Sequence, residues 1–236
     1  MLDNLHTEVL SLKNSDKAAF LQRFFKTKKG EYGYGDIFYG LTVPQSRKIA
    51  MQFSSMSLSD VGKLLASKIH EERLIALLIL TSKFSKASDL EKQAIYDFYL
   101  KNTRFVNNWD LVDTSAYKIV GAYLVGKNNR TILEKLAISN DMWERRIAII
   151  STFQFITQEK SYTETFKIAG ILLTDKNDLI QKAVGWMLRE AGKRISEKAE
   201  REFLDIHHKQ MGRTALRYAI ERFPEKIRLE YLKRVA

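Results

Sequence analysis

A tryptophan and a carboxylate stand four residues apart in the segment Asn107–Asp113, at positions Trp109 and Asp113. Positions i and i+4 share one face of a helix, so we expect both side chains to point into the same space. A carboxylate can stabilise positive charge that develops in a transition state, and the face of an indole ring attracts cations. The pattern also fits a half-buried tryptophan beside an aspartate that is paired with a neighbouring Lys or Arg.

The charge balance of the chain favours an anionic partner. The 39 Lys and Arg residues outnumber the 28 Asp and Glu residues, which gives a formal net charge of +11. Nucleic acid, an acidic membrane surface and an acidic protein would all suit this charge, so its placement matters more than its total.

Composition excludes several classes of protein. The 236 residues are 45% hydrophobic and 28% charged, which is typical of a soluble globular chain. With no cysteine, there is no disulfide, thiolate metal site or cysteine nucleophile. No stretch is apolar enough for a membrane span, and no signal peptide is evident, so we expect a cytoplasmic protein. The pair His207-His208 lacks further ligands at metal spacing, and we interpret it as surface, with no metal and no cofactor.

Helical periodicity dominates the chain. Asn14-Ser15-Asp16 marks the start of an amphipathic helix, and Pro44 and Pro224 stand where helices begin. Further helices are predicted over Glu71–Phe84, Asp89–Leu100, Asp141–Phe155, Asp178–Ile195 and Glu197–Lys209.

Similar helices recur along the chain. They start at Glu71, Trp109, Trp143, Ile180 and Arg213, about 33 to 38 residues apart, the length of one helical hairpin in a solenoid. Because such a hairpin cannot bury its own apolar face, neighbours must stack. The prediction is an all-α protein, a single domain over residues 1–236 built as an α-solenoid.

Cationic residues fall in register within these recurrent helices. Equivalent helices of a solenoid line one surface, usually the concave one, so the series predicts a basic groove suited to a nucleic acid duplex. Alternatively, these residues lie on ordinary solvated helix faces. The series comprises Arg73, Lys118, Arg145, Arg146, Lys182, Arg189, Arg213 and Arg217.

One segment breaks the helical pattern. Residues 27–36 hold three glycines together with Tyr32 and Tyr34, and Ile37–Val43 has a strand-like composition. The glycine spacing fits no phosphate-binding loop. We predict a short hairpin or ordered loop whose tyrosines either stack on bases or wedge into a groove of a nucleic acid, or else pack onto the first helices.

Four segments together resemble one family. They are Trp109–Asp113, Met142–Ala148, Ile180–Glu190 and Arg213–Glu221, the third matching most closely. They resemble the AlkD-like DNA alkylation-repair proteins, built of HEAT-like helical repeats, and the resemblance runs from about Ala18 to about Phe223.

The resemblance implies a glycosylase that removes cationic alkylated purines, such as 3-methyladenine and 7-methylguanine, from double-stranded DNA without deep base flipping. Asp113 would stabilise the oxocarbenium-like sugar and orient the attacking water. Trp109 and Trp186 would pack against the deoxyribose and backbone of the lesion, where their electron-rich faces favour developing positive charge. Arg146 would hold a phosphate. Trp143 is expected in the core, and Arg145 is either a second phosphate contact or a solvated neighbour.

The segment Gly30–Gly40 departs from that family. Active members use a short helix there to probe the minor groove, whereas relatives without it excise nothing, and some are associated with branched DNA. The alternative is therefore a noncatalytic protein that prefers distorted or branched DNA and inserts Tyr32 and Tyr34. A helical scaffold that binds acidic peptides is a third possibility. We expect a monomer.

Overall fold

The computed structural model describes residues 1–233 and groups them into two compact units, of which the first is Met1–Ser115 and the second begins at Ala116. Within the described residues there are helices and turns but no strand, apart from one isolated bridge between Ile37 and Ile69. The all-α class is confirmed. None of the described helices is long and apolar enough to cross a membrane.

The first unit places a buried helix among shorter ones. Helix α5 contacts α3, α4 and α6, and nearly all of its first eleven residues are buried, so it lacks the polar stripe of a surface helix. The helices are α1 (Leu2–Ser11), α2 (Ser15–Phe24), α3 (Val43–Gln52), α4 (Leu58–Leu65), α5 (His70–Lys86), α6 (Asp89–Lys101) and α7 (Trp109–Ala116).

The second unit is organised around α12, which contacts α10, α11, α13 and α14. Two π-helical turns, Tyr117–Gly121 and Phe155–Glu159, interrupt the regular helices. The helices are α8 (Ala122–Leu124), α9 (Thr131–Ala137), α10 (Met142–Ser151), α11 (Thr163–Leu172), α12 (Asp178–Arg194), α13 (Glu197–His207), α14 (Arg213–Ala219) and α15 (Glu225–Lys233).

Helices that are close in sequence pack against each other in both units, as helical repeats require, and the repeat prediction is confirmed. Gly185 allows the closest approach, because a Cβ atom there would collide with the carbonyl oxygen of Ala215 and with Cβ of Tyr218. The single domain over residues 1–236 and its concave groove stay predictions, and residues 234–236 lie outside the described range.

The helix starts follow their sequence signals. The Asn14 side chain accepts a hydrogen bond from the backbone N–H of Lys17, so it caps α2. Pro44 lies in the first turn of α3, and Pro224 directly precedes α15. The helix predicted over Asp141–Phe155 is shorter, ending at Ser151 before a π-helical turn.

Of the two forms predicted for the segment after α2, a short hairpin or an ordered loop, the structure has the ordered loop. Residues 37–42 form no strand despite their composition and are tied to the start of α5. The carboxylate of Glu71 accepts hydrogen bonds from the backbone N–H groups of Tyr39, Gly40 and Leu41, at 2.7 to 3.2 Å. On the other side of the loop, Asn14 N–H donates to the carbonyl oxygen of Tyr39 at 2.8 Å. Gly40 itself has φ +88°, a conformation that favours glycine.

Candidate functional site

Trp109 is the first residue of α7, and it packs on the rings of Phe24 and Phe25, which we call the aromatic bed. The carboxamide oxygen of Asn108 accepts a hydrogen bond from Trp109 N–H at 2.8 Å, which fixes the start of the helix. The indole stacks on the buried ring of Phe25 with centroids 5.2 Å apart and planes 16° apart. Phe24 meets it edge-on at 6.0 Å. Trp109 is half-buried, so part of the ring stays accessible.

The aromatic surface continues along α2, which has no buried residue. Phe20 and Phe24 are 57% and 53% exposed, and their rings stack 6.1 Å apart. Sequence reasoning missed them as part of the site. Their four-residue spacing indicates one helix face, but nothing in the sequence connects that face to Trp109, 85 positions beyond Phe24.

Asp113 lies one turn after Trp109 on α7 and is half-buried. Its charge acts on Tyr99, whose buried hydroxyl shares a hydrogen bond with Ser115 Oγ at 2.9 Å. Burial raises the pKa of Tyr99 well above its usual range, and the Asp113 carboxylate raises it further. Asp113 thus follows Trp109 by four positions on one helix of the first unit.

A buried cluster of charged side chains lies beside Trp109, and the sequence analysis did not anticipate it. His70 Nδ1 is 2.9 Å from Asp36 Oδ2, and Nε2 is 2.8 Å from Asp110 Oδ2. Arg73 donates to Asp36 Oδ1 at 2.6 Å, and the Asn108 amide donates to Asp36 at 3.3 Å. These contacts join the loop before α3, the start of α5 and the first turn of α7.

The cluster fixes its own charge states. Burial by itself would lower the pKa of His70, but the carboxylates of Asp110 and Asp36 outweigh it and raise the pKa to about 9. Burial would raise the pKa of Asp36, but hydrogen bonding to His70 and the charge of Arg73 lower it below its usual value. At neutral pH His70 is therefore an imidazolium between two carboxylates.

Arg73 does not belong to a surface groove, and that prediction was wrong. Arg73 is 4% exposed, and the buried carboxylate of Asp36 neutralises its charge inside the first unit. Its register with the other recurrent helices reflects the repeat, not a shared exposed surface.

The aromatic residues of the loop after α2 differ in exposure. Tyr34 is 65% exposed. Tyr32 is half-buried, with the ammonium group of Lys26 6.0 Å from its ring centroid. Of these two tyrosines, Tyr34 thus has more surface available to a partner.

In the second unit, Trp186 follows Gly185 on α12 and is half-buried. The close approach of α14 at Gly185 fixes the part of α12 that carries it. Trp143 on α10 is 6% exposed, so the expectation of a core residue is confirmed.

The two arginines of α10 have different environments. Arg146 is 5% exposed, and its guanidinium donates to the carbonyl oxygen of Leu179, which ties α10 to the start of α12. Arg145 is half-buried; its Nε donates to Asp175 at 2.7 Å, and NH1 donates to the carbonyl oxygen of Ser139 at 2.8 Å. Both arginines therefore connect α10 to neighbouring segments of the second unit. Because Arg146 is almost fully buried, little of its surface is accessible to a phosphate.

Of the remaining predicted cations, Lys118 is exposed in the π-helical turn Tyr117–Gly121, and the others lie on α12 and α14. Arg213 and Arg217 are exposed, Arg189 pairs with Glu221, and Lys182 is 2.6 Å from Asp178. A shallow cavity brings several polar and charged side chains together: Lys182, Arg217, Thr214, Tyr218, Asp178, Glu221 and Arg228. The cations and hydroxyls of this cavity can bind a phosphate group, but Asp178 already pairs with Lys182 there.

The surface interpretation of His207-His208 was wrong for His208. That ring is 5% exposed, and its Nδ1 is 2.8 Å from the carbonyl oxygen of Leu204. His207 lies against Phe203, with ring centroids 4.5 Å apart. No group of three or more potential metal-ligating side chains occurs within residues 1–233.

Comparison with known proteins gives a consistent result. Residues 5–223 match the family described as DNA alkylation repair enzyme. Among solved structures, the chain is similar to the predicted DNA alkylation repair enzyme from Enterococcus faecalis, with a TM-score of 0.68 and 19% identity, over 90% of this chain and 97% of that one. At that identity the likeness shows the fold. No curated protein matches the chain.

Proposed function

Because the chain belongs to the DNA alkylation repair enzyme family, we propose that it hydrolyses the N-glycosidic bond of cationic N3- or N7-alkylated purines in double-stranded DNA. The observation that carries this proposal is the α7 face, where Asp113 follows one turn after a Trp109 that is fixed against Phe25. We propose further that the protein acts as a monomer in the cytoplasm and needs no cofactor.

The proposed reaction needs no general acid to protonate the leaving base. An alkylated purine already carries a positive charge and leaves as a neutral base, so no proton has to be supplied to it. The sugar becomes electron-poor as the bond breaks, and the negative charge of Asp113 stabilises it. Asp113 also orients the water that attacks the anomeric carbon. The electron-rich face of Trp109 favours the same positive charge.

DNA positioning is assigned to the second unit. Arg213 and Arg217 are exposed cations, so these two are the proposed main phosphate contacts. Lys182, Arg145 and Arg189 contribute charge through groups already paired with Asp178, Asp175 and Glu221. The proposed phosphate contact of Arg146 would have to use the small exposed part of its guanidinium.

Base release tests the proposal directly. Methylated duplex DNA is incubated with excess protein, and free 7-methylguanine and 3-methyladenine are measured over time against DNA without protein. Release that exceeds spontaneous depurination and rises with protein until saturation supports the proposal. Release at the spontaneous rate at every protein concentration contradicts it.

The second candidate function is noncatalytic binding to distorted or branched DNA. The observation that favours it is the loop at residues 27–36, which forms no helix and exposes 65% of Tyr34. An exposed aromatic ring can stack on a base that has lost its neighbour.

A comparison of two DNA shapes tests the second candidate. Affinity for a four-way junction and for a duplex of the same length is measured for the wild type and Tyr34→Ala. A loss confined to the junction supports insertion of the ring. Leu90→Ala, which removes another exposed apolar side chain (82% exposed), is the control. Equal loss with both variants, or none with either, contradicts this candidate.

A further inference from the structure

We propose that His70 is a positioning residue for the candidate site: its doubly hydrogen-bonded imidazolium holds the first turn of α7, and with it Trp109 and Asp113, against the aromatic bed of the first unit. The catalytic part of this inference rests on the proposed function. The positioning part stands on the geometry of the first unit alone.

His70 is at the centre of three segments that are distant in sequence. Its Nδ1 binds Asp36 in the loop, its Nε2 binds Asp110 in α7, and its own backbone N–H donates to the carbonyl oxygen of Ile37 at 2.8 Å. The side chain is 2% exposed, so water does not compete for these bonds.

The ring faces of His70 are used as well. Phe38 stacks on the imidazole with centroids 4.5 Å apart, and Phe25 lies 5.0 Å from it. Phe25 is also the ring on which Trp109 stacks. His70 therefore reaches the tryptophan by two routes, through Asp110 in the same helical turn and through Phe25.

Both hydrogen bonds require the protonated ring. A carboxylate only accepts hydrogen bonds, and a neutral imidazole has a single N–H to donate, whereas an imidazolium has two. On deprotonation Asp36 keeps Arg73 and Asn108. Among the described residues, Asp110 Oδ1 has no hydrogen-bond partner, so Asp110 depends on His70 and is the group that is released.

The pH dependence follows from the charged groups that face the ring. Asp110 and Asp36 raise the pKa of His70 to about 9, against burial and the positive charge of Arg73. A raised pKa means that the stabilisation is complete below the ordinary value of 6.5 and is lost as pH rises through about 9. We expect the site to loosen on the alkaline side and to be unaffected between pH 6 and 7.

The first experiment observes the ring and the tryptophan without any enzyme assay. Histidine ring signals and the fluorine signals of protein labelled with fluorotryptophan are followed by NMR from pH 6 to 10. His70→Gln and Trp109→Phe assign the two signals. We expect the His70 signal to titrate near pH 9 and the Trp109 signal to shift with the same midpoint.

Two variants separate positioning from mere support of the fold. Asp110→Asn removes the nearer carboxylate charge, so both midpoints should fall together toward 6.5. His6→Gln is the matched control, because His6 pairs with Glu72 through a contact outside the cluster, and it should leave both midpoints unchanged. If His70→Gln fails to fold, the wild-type and Asp110→Asn titrations still decide the matter.

A rate measurement links the cluster to chemistry. His70→Gln should slow single-turnover base release about tenfold to a hundredfold, the loss expected when a reacting group is misplaced. Duplex affinity should be unchanged, since the proposed phosphate contacts lie in the second unit. A Trp109 signal whose chemical shift does not change as His70 titrates, or a His70 signal that titrates near pH 6.5, overturns the inference. If the wild type releases no base, the proposed glycosylase fails while the NMR result still judges the role of His70.

Discussion

Phe25 and Trp109 lie ring on ring, 5.2 Å between centroids and 16° between planes, although 84 positions separate them in the chain. Phe25 is 7% exposed and cannot turn away, so the stack limits the rotation of the indole. An aromatic pair of this kind contributes about 0.5 to 1.5 kcal/mol beyond the area it buries. The orientation of Trp109 is therefore set before any DNA arrives.

Asp113→Asn tests the proposed charge stabilisation. The change keeps the shape of the side chain and removes its negative charge, so 7-methylguanine release should slow by on the order of tenfold to a thousandfold. Duplex affinity should stay the same or rise slightly, because the change removes a negative charge that repels DNA phosphates. Single-turnover excision and a binding titration measure the two effects.

The matched control for that experiment is Asp97→Asn, an exposed aspartate on α6 of the same unit. Its release rate should equal that of the wild type. Equal slowing by the two variants would mean that net charge, not the position of Asp113, sets the rate.

Arg217→Glu tests the phosphate surface of α14. Arg217 is exposed and shares a cavity with Lys182, so loss of its contact should weaken duplex binding regardless of sequence and reduce the salt slope by roughly 1. Titrations at several salt concentrations give both quantities. Lys135→Glu, an exposed cation on α9, makes the same charge change elsewhere. Identical slopes for the two variants would remove Arg217 from the contact surface.

Gly185→Ala tests how Trp186 and α14 are positioned. The added methyl group would meet the backbone of α14 at Ala215, so we expect a loss of about 1 to 3 kcal/mol in the free energy of unfolding. Gly170→Ala is the control, because no atom within 4 Å opposes a Cβ there and the residue lies within α11; stability should rise by about 0.5 to 1 kcal/mol. Chemical denaturation measures both, and a stabilising Gly185→Ala would refute the close packing.

Glu200→Gln tests a buried carboxyl on α13. Burial, reinforced by the charge of Glu197, raises the pKa of Glu200 to about 8. A raised carboxyl pKa means that stability is lost as pH rises from about 4.5 to 8, while the unfolded chain ionises freely. The advantage of Glu200→Gln should grow across this range by up to about 1.4 kcal/mol per pH unit. The exposed Glu202→Gln should show no such pH dependence, and a constant difference for Glu200→Gln would count against the raised pKa.

Local sequence signals predicted the positions of the helices well, because capping residues, prolines and the helical spacing of apolar residues all act within a few positions of the chain. Asn14, Pro44 and the periodic stretch around α12 all show this. Residues 37–42 form the ordered loop and not the hairpin, because their backbone N–H groups bind the Glu71 carboxylate instead of another strand, while Phe38 and Leu41 are buried.

The candidate site was only partly predictable. The spacing of Trp109 and Asp113 identifies a shared helix face, since that relationship is local. The contacts of Trp109 with Phe25, and of His70 with Asp36 and Asp110, join positions more than 30 residues apart, and no pattern in one sequence encodes them. The burial of Arg73 escaped prediction for the same reason, because charge pattern alone does not distinguish a buried ion pair from an exposed cation.

The hydrogen bonds that hold residues 39–41 restrict how relatives of this chain can differ in length at this loop. Glu71 and Asn14 hold that stretch from two sides, and Gly40 leaves no room for a side chain beside Asn14. Insertions and deletions near Gly30, where a Cβ would meet nothing within 4 Å, should therefore be tolerated in evolution, whereas a change of one residue in length between Asp36 and Leu41 should not. The loop tip can thus change in length and sequence while the rings of Phe24 and Phe25 beneath Trp109 stay in place.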